Sequence, residues 1–526
     1  MKPERPEDHR SIEELQEDKT AVQLKGGTYE DEREMQRMGK TQELRRNFKF
    51  IGIVGFVSIL QSTWENTLLA SFFGLFNGGP AGIIYCTIAV WIFMMCMIAS
   101  MGELAAMAPT AGAQYHFISE FAPRSMQKPL SYIVGWLCCL GWISGIPACG
   151  LQLAGIIGEM VNLTHPDAGY GLAWQATLAV FLFIILTVCF NIFFAQHLPL
   201  AEGIVLFLHV FGFFAFLLTL WIMADHVPAK EVFTNFHNGG GWPSTGLACL
   251  IGLSSPIWCF IGPDAGAHMS EELKDASIQL PKAMLWATFG NGIMGITMII
   301  TFCFCITDLD IIIGEKSTDF PIIEIIYGAT GSYAATCILG GLLILLLFFS
   351  TVTTVASASR QVWSFSRDRG LPFSAWICHV RPTWEIPVNA LLVCLSVALV
   401  LSAINFGSNA ALNAILSVSN AALIFSYIAS IGSVRLKRLR GEPLLPSRFS
   451  LGKWGGPIND ISLAFLLVGF VFSFFPLAPV TGGPTWASDF NWAIIIFSGT
   501  CVLAGIWYAV GGGRTYVAPV SLVKED

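Results

Sequence analysis

Two carboxylates interrupt apolar stretches in which charge is costly. Glu65 stands in Gln61-Ser62-Thr63-Trp64-Glu65-Asn66, in the middle of the first long apolar run, and Asp264 stands in Phe260-Ile261-Gly262-Pro263-Asp264-Ala265-Gly266, within the sixth. A carboxylate at hydrocarbon depth marks a site or path for a cation or a proton. Its bland counterpart is a structural ion pair or a hydrogen-bonded acid between helices. Around Asp264 a Pro kink accounts for Pro256 but not for Pro, Asp and two Gly close together. The sixth run therefore reads as a broken helix. Backbone freed by such a break must find protein, water, ion or ligand, so a break lines a cavity. On this reading Ser62, Thr63, Trp64, Glu65 and Asn66 at one break, and Trp258, Phe260, Gly262, Asp264 and Gly266 at the other, line a binding site. Trp64, Trp258 and Phe260 offer aromatic faces to an ammonium group, or simply pack.

The elements that must hold these residues follow from composition. Of 526 residues, 54% are hydrophobic and 12% charged, which excludes an ordinary soluble globule. The net charge of −7 gives no reason to expect a nucleic-acid partner. Fourteen Cys lie mostly inside apolar runs and read as buried, reduced side chains. The nine His are scattered and no phosphate-binding loop appears, so neither an enzyme, a metal site nor a cofactor is indicated. The expected class is an all-α polytopic membrane protein with about twelve spans.

Residues 1–47, dense in charge, are expected to be a disordered tail, residues 48–511 the membrane domain, and 512–526 a second tail. An even number of spans puts both tails on one side. Of 29 basic residues only Lys230 and Lys316 then fall on the other, so both termini are expected in the cytoplasm. Asn162-Leu-Thr, in an expected loop after span three, is an outward-facing glycosylation acceptor pattern.

Breaks in spans one and six, five apart, suggest that spans one to five and six to ten form inverted repeats whose breaks meet at the substrate. Basic residues after span eight, Arg360 among them, face the same side as Glu103, Glu271 and Glu272, which suggests an ion-pair gate. A partly exposed Glu272–Arg360 pair would be weak, about 1 kcal/mol.

These residues carry a resemblance. The interrupted first span, GEL followed by PTAGAQYHF, GPDAGAHMSEEL with Pro281 soon after, and SRQVWSFSRDRGLP look like fungal members of the amino acid–polyamine–organocation superfamily. The branch most similar is the amino acid/choline transporter family, with its GABA and choline permeases, and the similarity spans roughly residues 45–510. It implies a leucine-transporter-like fold of five plus five spans, alternating access, and a substrate held between the breaks of spans one and six. Many such transporters have Gly-Ser-Gly in span one, where open amides receive an α-carboxylate. This chain has Glu65 there instead, which favours a cationic nitrogen, so the expected substrates are amino acids or related amines such as choline, GABA or polyamines. Glu65 and Asp264 make a proton the expected coupling ion, while Ser350, Thr351, Thr353 and Thr354 keep sodium open. A plasma-membrane permease is the leading expectation. A transporter-like nutrient sensor, or an exporter of a nitrogenous metabolite, fits the same residues.

Overall fold

The computed structural model describes residues 25–522, apart from 169–171, 314–319, 382–384, 407–410, 482–485 and 487–489. The expectations for residues 1–24, Lys316 and Lys524 lie outside the described residues. Among the described residues regular structure is helical, with one isolated bridge between Phe48 and Leu273. Eleven helices are long and apolar enough to cross a bilayer, and the broken first span, whose pieces are too short to be counted with them, is a twelfth.

Span one runs as Phe50–Gln61, Thr63–Leu69 and Ser71–Phe76. Spans two to five are Gly79–Met107, Gln127–Thr164, Ala173–Phe193 and Leu198–Met223. Span six runs as Thr245–Gly252, Ser254–Phe260 and Ala265–His268. Spans seven to nine are Ala276–Phe304, Tyr333–Arg367 and Val388–Ser402. Spans ten to twelve are Ala414–Leu439, Gly455–Phe472 and Ala493–Trp507.

Small and polar residues decide which spans are central. Span ten buries Ser417, Ser419, Asn420, Ser426 and Ser430, and span three brings Gly141 against Leu423 of span ten. Between apolar helices such residues allow close approach and interhelical hydrogen bonds, whereas large aliphatics face lipid equally well. Accordingly Leu178 and Leu182 of span four, Phe207 and Phe211 of span five, and Val502 and Leu503 of span twelve are exposed.

Two features differ from the sequence reading. Span three is helical to Thr164, whose hydroxyl bonds the Met160 carbonyl at 2.7 Å, so Asn162 sits exposed on the last helical turn rather than in a loop. The stretch after Gly112 is the helix Ala113–Phe121, buried on every side. The second difference is the larger one. From Lys25 onward the N-terminal segment is ordered, with a helix at Tyr29–Arg37 opened by a Thr28–Asp31 capping box. Met35, Met38, Leu44 and Phe48 insert into the core, and Asp31, Lys40 and Arg46 are buried with them. Charge density hid four well-spaced apolar anchors. The C-terminal residues dock too: Tyr516 is buried, and Val520 N–H donates to Ser119 Oγ at 2.9 Å. Leu522 lies against Gly39, so the first and last described segments share one face, called the terminal face below.

Candidate functional site

Ser62 breaks span one. Its φ of +38° puts it in the left-handed region, and its N–H closes the preceding turn on Ser58 O. In span six Gly262 has φ +90°, which suits a residue without Cβ, and Ile261 is extended. The two breaks are fastened to each other. Gln61 Nε2 donates to Phe260 O at 3.1 Å and Thr63 Oγ1 to Cys259 O at 3.0 Å, so side chains from one break satisfy carbonyls freed at the other.

Beside this junction lies a small cavity of about 40 Å³ lined by Gln61, Asn66, Trp258 and Gly262 from the breaks. Trp142 and Cys149 of span three, Thr354 of span eight and Ser419 of span ten complete its wall. Asn66 Oδ1 accepts from Trp258 Nε1 and from Gln152 Nε2, both at 3.2 Å, which fixes the indole against the wall. The lining mixes aromatic, amide, hydroxyl, thiol and aliphatic groups, and none of its residues carries a carboxylate. A larger, open recess of about 290 Å³ between the ends of spans five and seven touches neither break.

Of the ten residues expected at the site, Asn66, Trp258 and Gly262 line the cavity. The others sit behind it. Ser62 Oγ bonds Ile59 O at 2.5 Å, Gly266 lies against Leu280 and Val57, and Phe260 is buried behind the junction. Trp64 packs on Phe213 and Phe216 of span five. Glu65 turns the same way, its Oε1 2.6 Å from His209 Nδ1, both side chains fully buried. Asp264 accepts from Gln114 Nε2 and from Tyr427 Oη, with His268 Nε2 at 3.6 Å. Neither carboxylate reaches the cavity, so the charge argument for an amine no longer rests on direct contact. A lone His in the apolar run Leu206–Gly212 was the signal for Glu65's partner; Gln114 and Tyr427 lie too far from Asp264 in sequence to be paired with it.

Asp264 is thus expected to act first as a joint between span six, helix Ala113–Phe121 and span ten. Asp264→Ala strands two buried donors at about 1–3 kcal/mol each and should sharply lower the melting temperature of the purified protein. Asp264→Asn, which keeps one acceptor, should lose less. Equal stability of the alanine variant and wild type would remove the joint.

The hydroxyls of span eight that kept sodium open are engaged with protein. Ser350 Oγ donates to Leu60 O at 3.0 Å, Thr354 to Ser350 O at 2.8 Å, and Thr353 to Glu202 Oε1 at 2.9 Å.

At the terminal face, Arg360 Nε meets Glu272 Oε1 at 2.7 Å, with side-chain exposures of 0% and 10%. Arg367 holds Glu271 in a fork at 2.7 and 2.9 Å. The pairs are buried, so the weak, exposed interaction expected from sequence is replaced by one whose rupture strands a charge. Burial alone would push the Glu271 carboxyl up, but Arg367, with help from Lys40 and the Ala111 N–H, holds it down at about 2. Glu103 belongs elsewhere: it binds Arg438 of span ten at 2.6 Å and the Leu451 N–H at 2.9 Å. The N-terminal segment lies over the two pairs. Lys40 pairs with Asp368, Gln42 donates to Glu271 O at 2.7 Å, and Arg46 bonds the carbonyls of Ser270 and Leu273.

Two broken spans fastened around an interior cavity, in a chain that crosses the bilayer repeatedly, define a membrane protein of the transporter class. Residues 51–500 match the amino acid permease family, and the chain belongs to it. It is a permease and not an enzyme. The Saccharomyces cerevisiae choline transporter is 26% identical over 90% of this chain and 83% of its own length. The GABA-specific permease of the same organism is 27% identical, over 94% and 87%. A Macrophomina phaseolina protein whose name assigns it provisionally to amino acid/polyamine transport is 30% identical, over 81% and 94%.

Proposed function

We propose that the protein moves a small amine or amino acid by alternating access, driven by a proton gradient, with the substrate held in the cavity between the two breaks. The observation that carries this reading is the junction itself. Cross-bonded breaks beside a small cavity, which would widen as the spans move, give spans one and six a common pivot, and the facing ion pairs at the terminal face give one end a closure. The five-plus-five repeat accommodates this geometry. The terminal face is the cytoplasmic one on the distribution of basic residues, and the plasma membrane is the proposed location. Asn162 would then be exposed on the outer side as a glycosylation site.

Trp142 and Trp258 suit a cationic nitrogen through their ring faces, while Asn66, Gln61 and the helix ends freed at the breaks suit a carboxylate. A zwitterion such as GABA and a quaternary amine such as choline both fit those walls, in keeping with the names of the relatives. The docked N-terminal segment favours one second reading, a nutrient sensor that reports occupancy through that segment without net flux.

Uptake and efflux of radiolabelled choline, GABA, polyamines and cationic amino acids in proteoliposomes test the proposal. Wild type should accumulate at least one of them, and Trp258→Leu and Asn66→Ala should each reduce uptake by about tenfold or more, the cost of one lost aromatic or hydrogen-bond contact in a buried site. Binding without flux would favour the sensor. Undiminished uptake in both variants would move the substrate out of this cavity.

A further inference from the structure

The geometry points to the Glu65–His209 pair as the carrier of the coupling proton, an inference that rests on the proton-driven transport proposed above and names the group responsible. Both side chains are fully buried, and Oε1 and Nδ1 are 2.6 Å apart. Asn291 of span seven fixes the tautomer. Its Nδ2 donates to Ser58 O at 2.9 Å and to Gln61 Oε1 at 3.3 Å, so its Oδ1, 3.0 Å from His209 Nε2, must receive an N–H. With Nε2 protonated, the contact between Nδ1 and Oε1 contains one further proton. Whether it sits nearer the imidazole or the carboxylate, the pair is neutral overall. Its loss leaves a carboxylate facing an imidazole lone pair inside hydrocarbon, an unpaired buried charge that costs free energy until Glu65 reaches water.

The surroundings fit a group that changes state. Trp64 Nε1 lies 3.1 Å from His209 Nδ1 and 3.2 Å from the His209 carbonyl. It donates to the carbonyl while Nδ1 is protonated and to Nδ1 once the proton has left. Among the described residues the pair's hydrogen-bond partners are uncharged: Trp64, which packs on Phe213 and Phe216 of span five, and Asn291 of span seven. The other buried carboxylate of span five, Glu202, bonds Thr353 of span eight instead, and Asp264 is held by Gln114 and Tyr427.

The pair is also wired to the cavity from both sides. Gln61 lines the cavity and bonds Asn291, and Asn66, adjacent to Glu65 on the same helix, lines it and holds Trp258. A substrate pulling on Gln61 and Asn66 therefore pulls on the turn that carries Glu65. The step is one of simple dissociation: the shared proton leaves as H⁺, the pair goes from neutral to −1, and no other bond changes.

The test has two arms. In infrared titration of the purified protein, a hydrogen–deuterium-sensitive carboxyl or imidazole band should be present and should vanish in both Glu65→Gln and His209→Asn; a spectrum unchanged in both variants overturns the assignment without reference to any substrate. In proteoliposomes clamped at zero potential, a one-unit pH gradient should drive about tenfold accumulation of radiolabelled GABA or choline by wild type. Both variants should fall to a ratio of about one while still exchanging the same substrate across the membrane. Variants that accumulate like wild type overturn the pair as carrier but leave proton-driven transport standing. A wild type that exchanges substrate but ignores the pH gradient overturns both. If the glutamine variant does not assemble, Glu65→Asp should keep accumulation with a displaced pH profile; an unmoved profile counts against the pair.

Discussion

Arg360→Met should open the terminal face. The methionine keeps much of the volume but leaves Glu272 buried without its counter-charge, and rupture of such a pair costs about 3–5 kcal/mol. Charged to the closed arrangement alone, that shifts a closed–open equilibrium by two orders of magnitude or more. Cys149 lines the cavity and is otherwise buried, so it reports the change directly. Its labelling by a membrane-impermeant thiol reagent applied to the terminal face, read by peptide mass, should rise at least about tenfold. Glu272→Gln added to Arg360→Met removes the stranded charge and should return labelling most of the way. A double variant as open as the single one would show that closure does not depend on this pair.

Acid has a calculable effect on the neighbouring pair. Glu271 sits outside the spans and is held at about 2 in the folded chain, below the 4.5 of a free glutamate. For a depressed carboxyl the stabilisation is complete above the unfolded value and is lost as pH falls through the folded one. The Glu271–Arg367 fork therefore weakens only between about pH 4.5 and 2. Any dependence of transport on pH between 5 and 8 must originate in another group.

How much of this was legible follows from the range over which each signal acts. The breaks were visible because Ser62, Gly262 and Pro263 act locally on the backbone. The pairing of spans six and eight was visible because opposite charges at matched depth have few other partners, and Glu272 and Arg360 do meet. The direction in which Glu65 points was not visible. On a helix a rotation of about 100° separates Glu65 from Asn66. One faces span five and the other the cavity, and only the packing of Trp64 on Phe213 and Phe216 decides between them. Burial at the terminal face was hidden for a similar reason. The 1 kcal/mol scale of an exposed pair fails because a segment more than two hundred residues away in sequence covers Glu271 and Glu272.

That covering segment sets the last expectation. Arg46 is 3% exposed, 3.2 Å from Asp31, and bonded to the carbonyls of Ser270 and Leu273, so it ties the N-terminal segment to the link between spans six and seven. Burial pushes its guanidinium down from the ordinary value, with Asp31 and Glu271 opposing, which marks it as a group that gains by leaving once its partners separate. Asp31 in turn receives the N–H groups of Asp275 and Ala276, capping the start of span seven. These bonds oppose any opening of the terminal face around span six. Arg46→Gln should release the segment, at a cost to the docked state of about 3–5 kcal/mol for the broken buried pair. Trypsin added from that side should then cut after Arg37 or Lys40 at least about tenfold faster, and Cys149 labelling should rise with it. Faster cutting with unchanged Cys149 labelling would mean that the segment covers the face without closing it; protection at the wild-type level would mean that Met35, Met38 and Leu44 hold it down without Arg46.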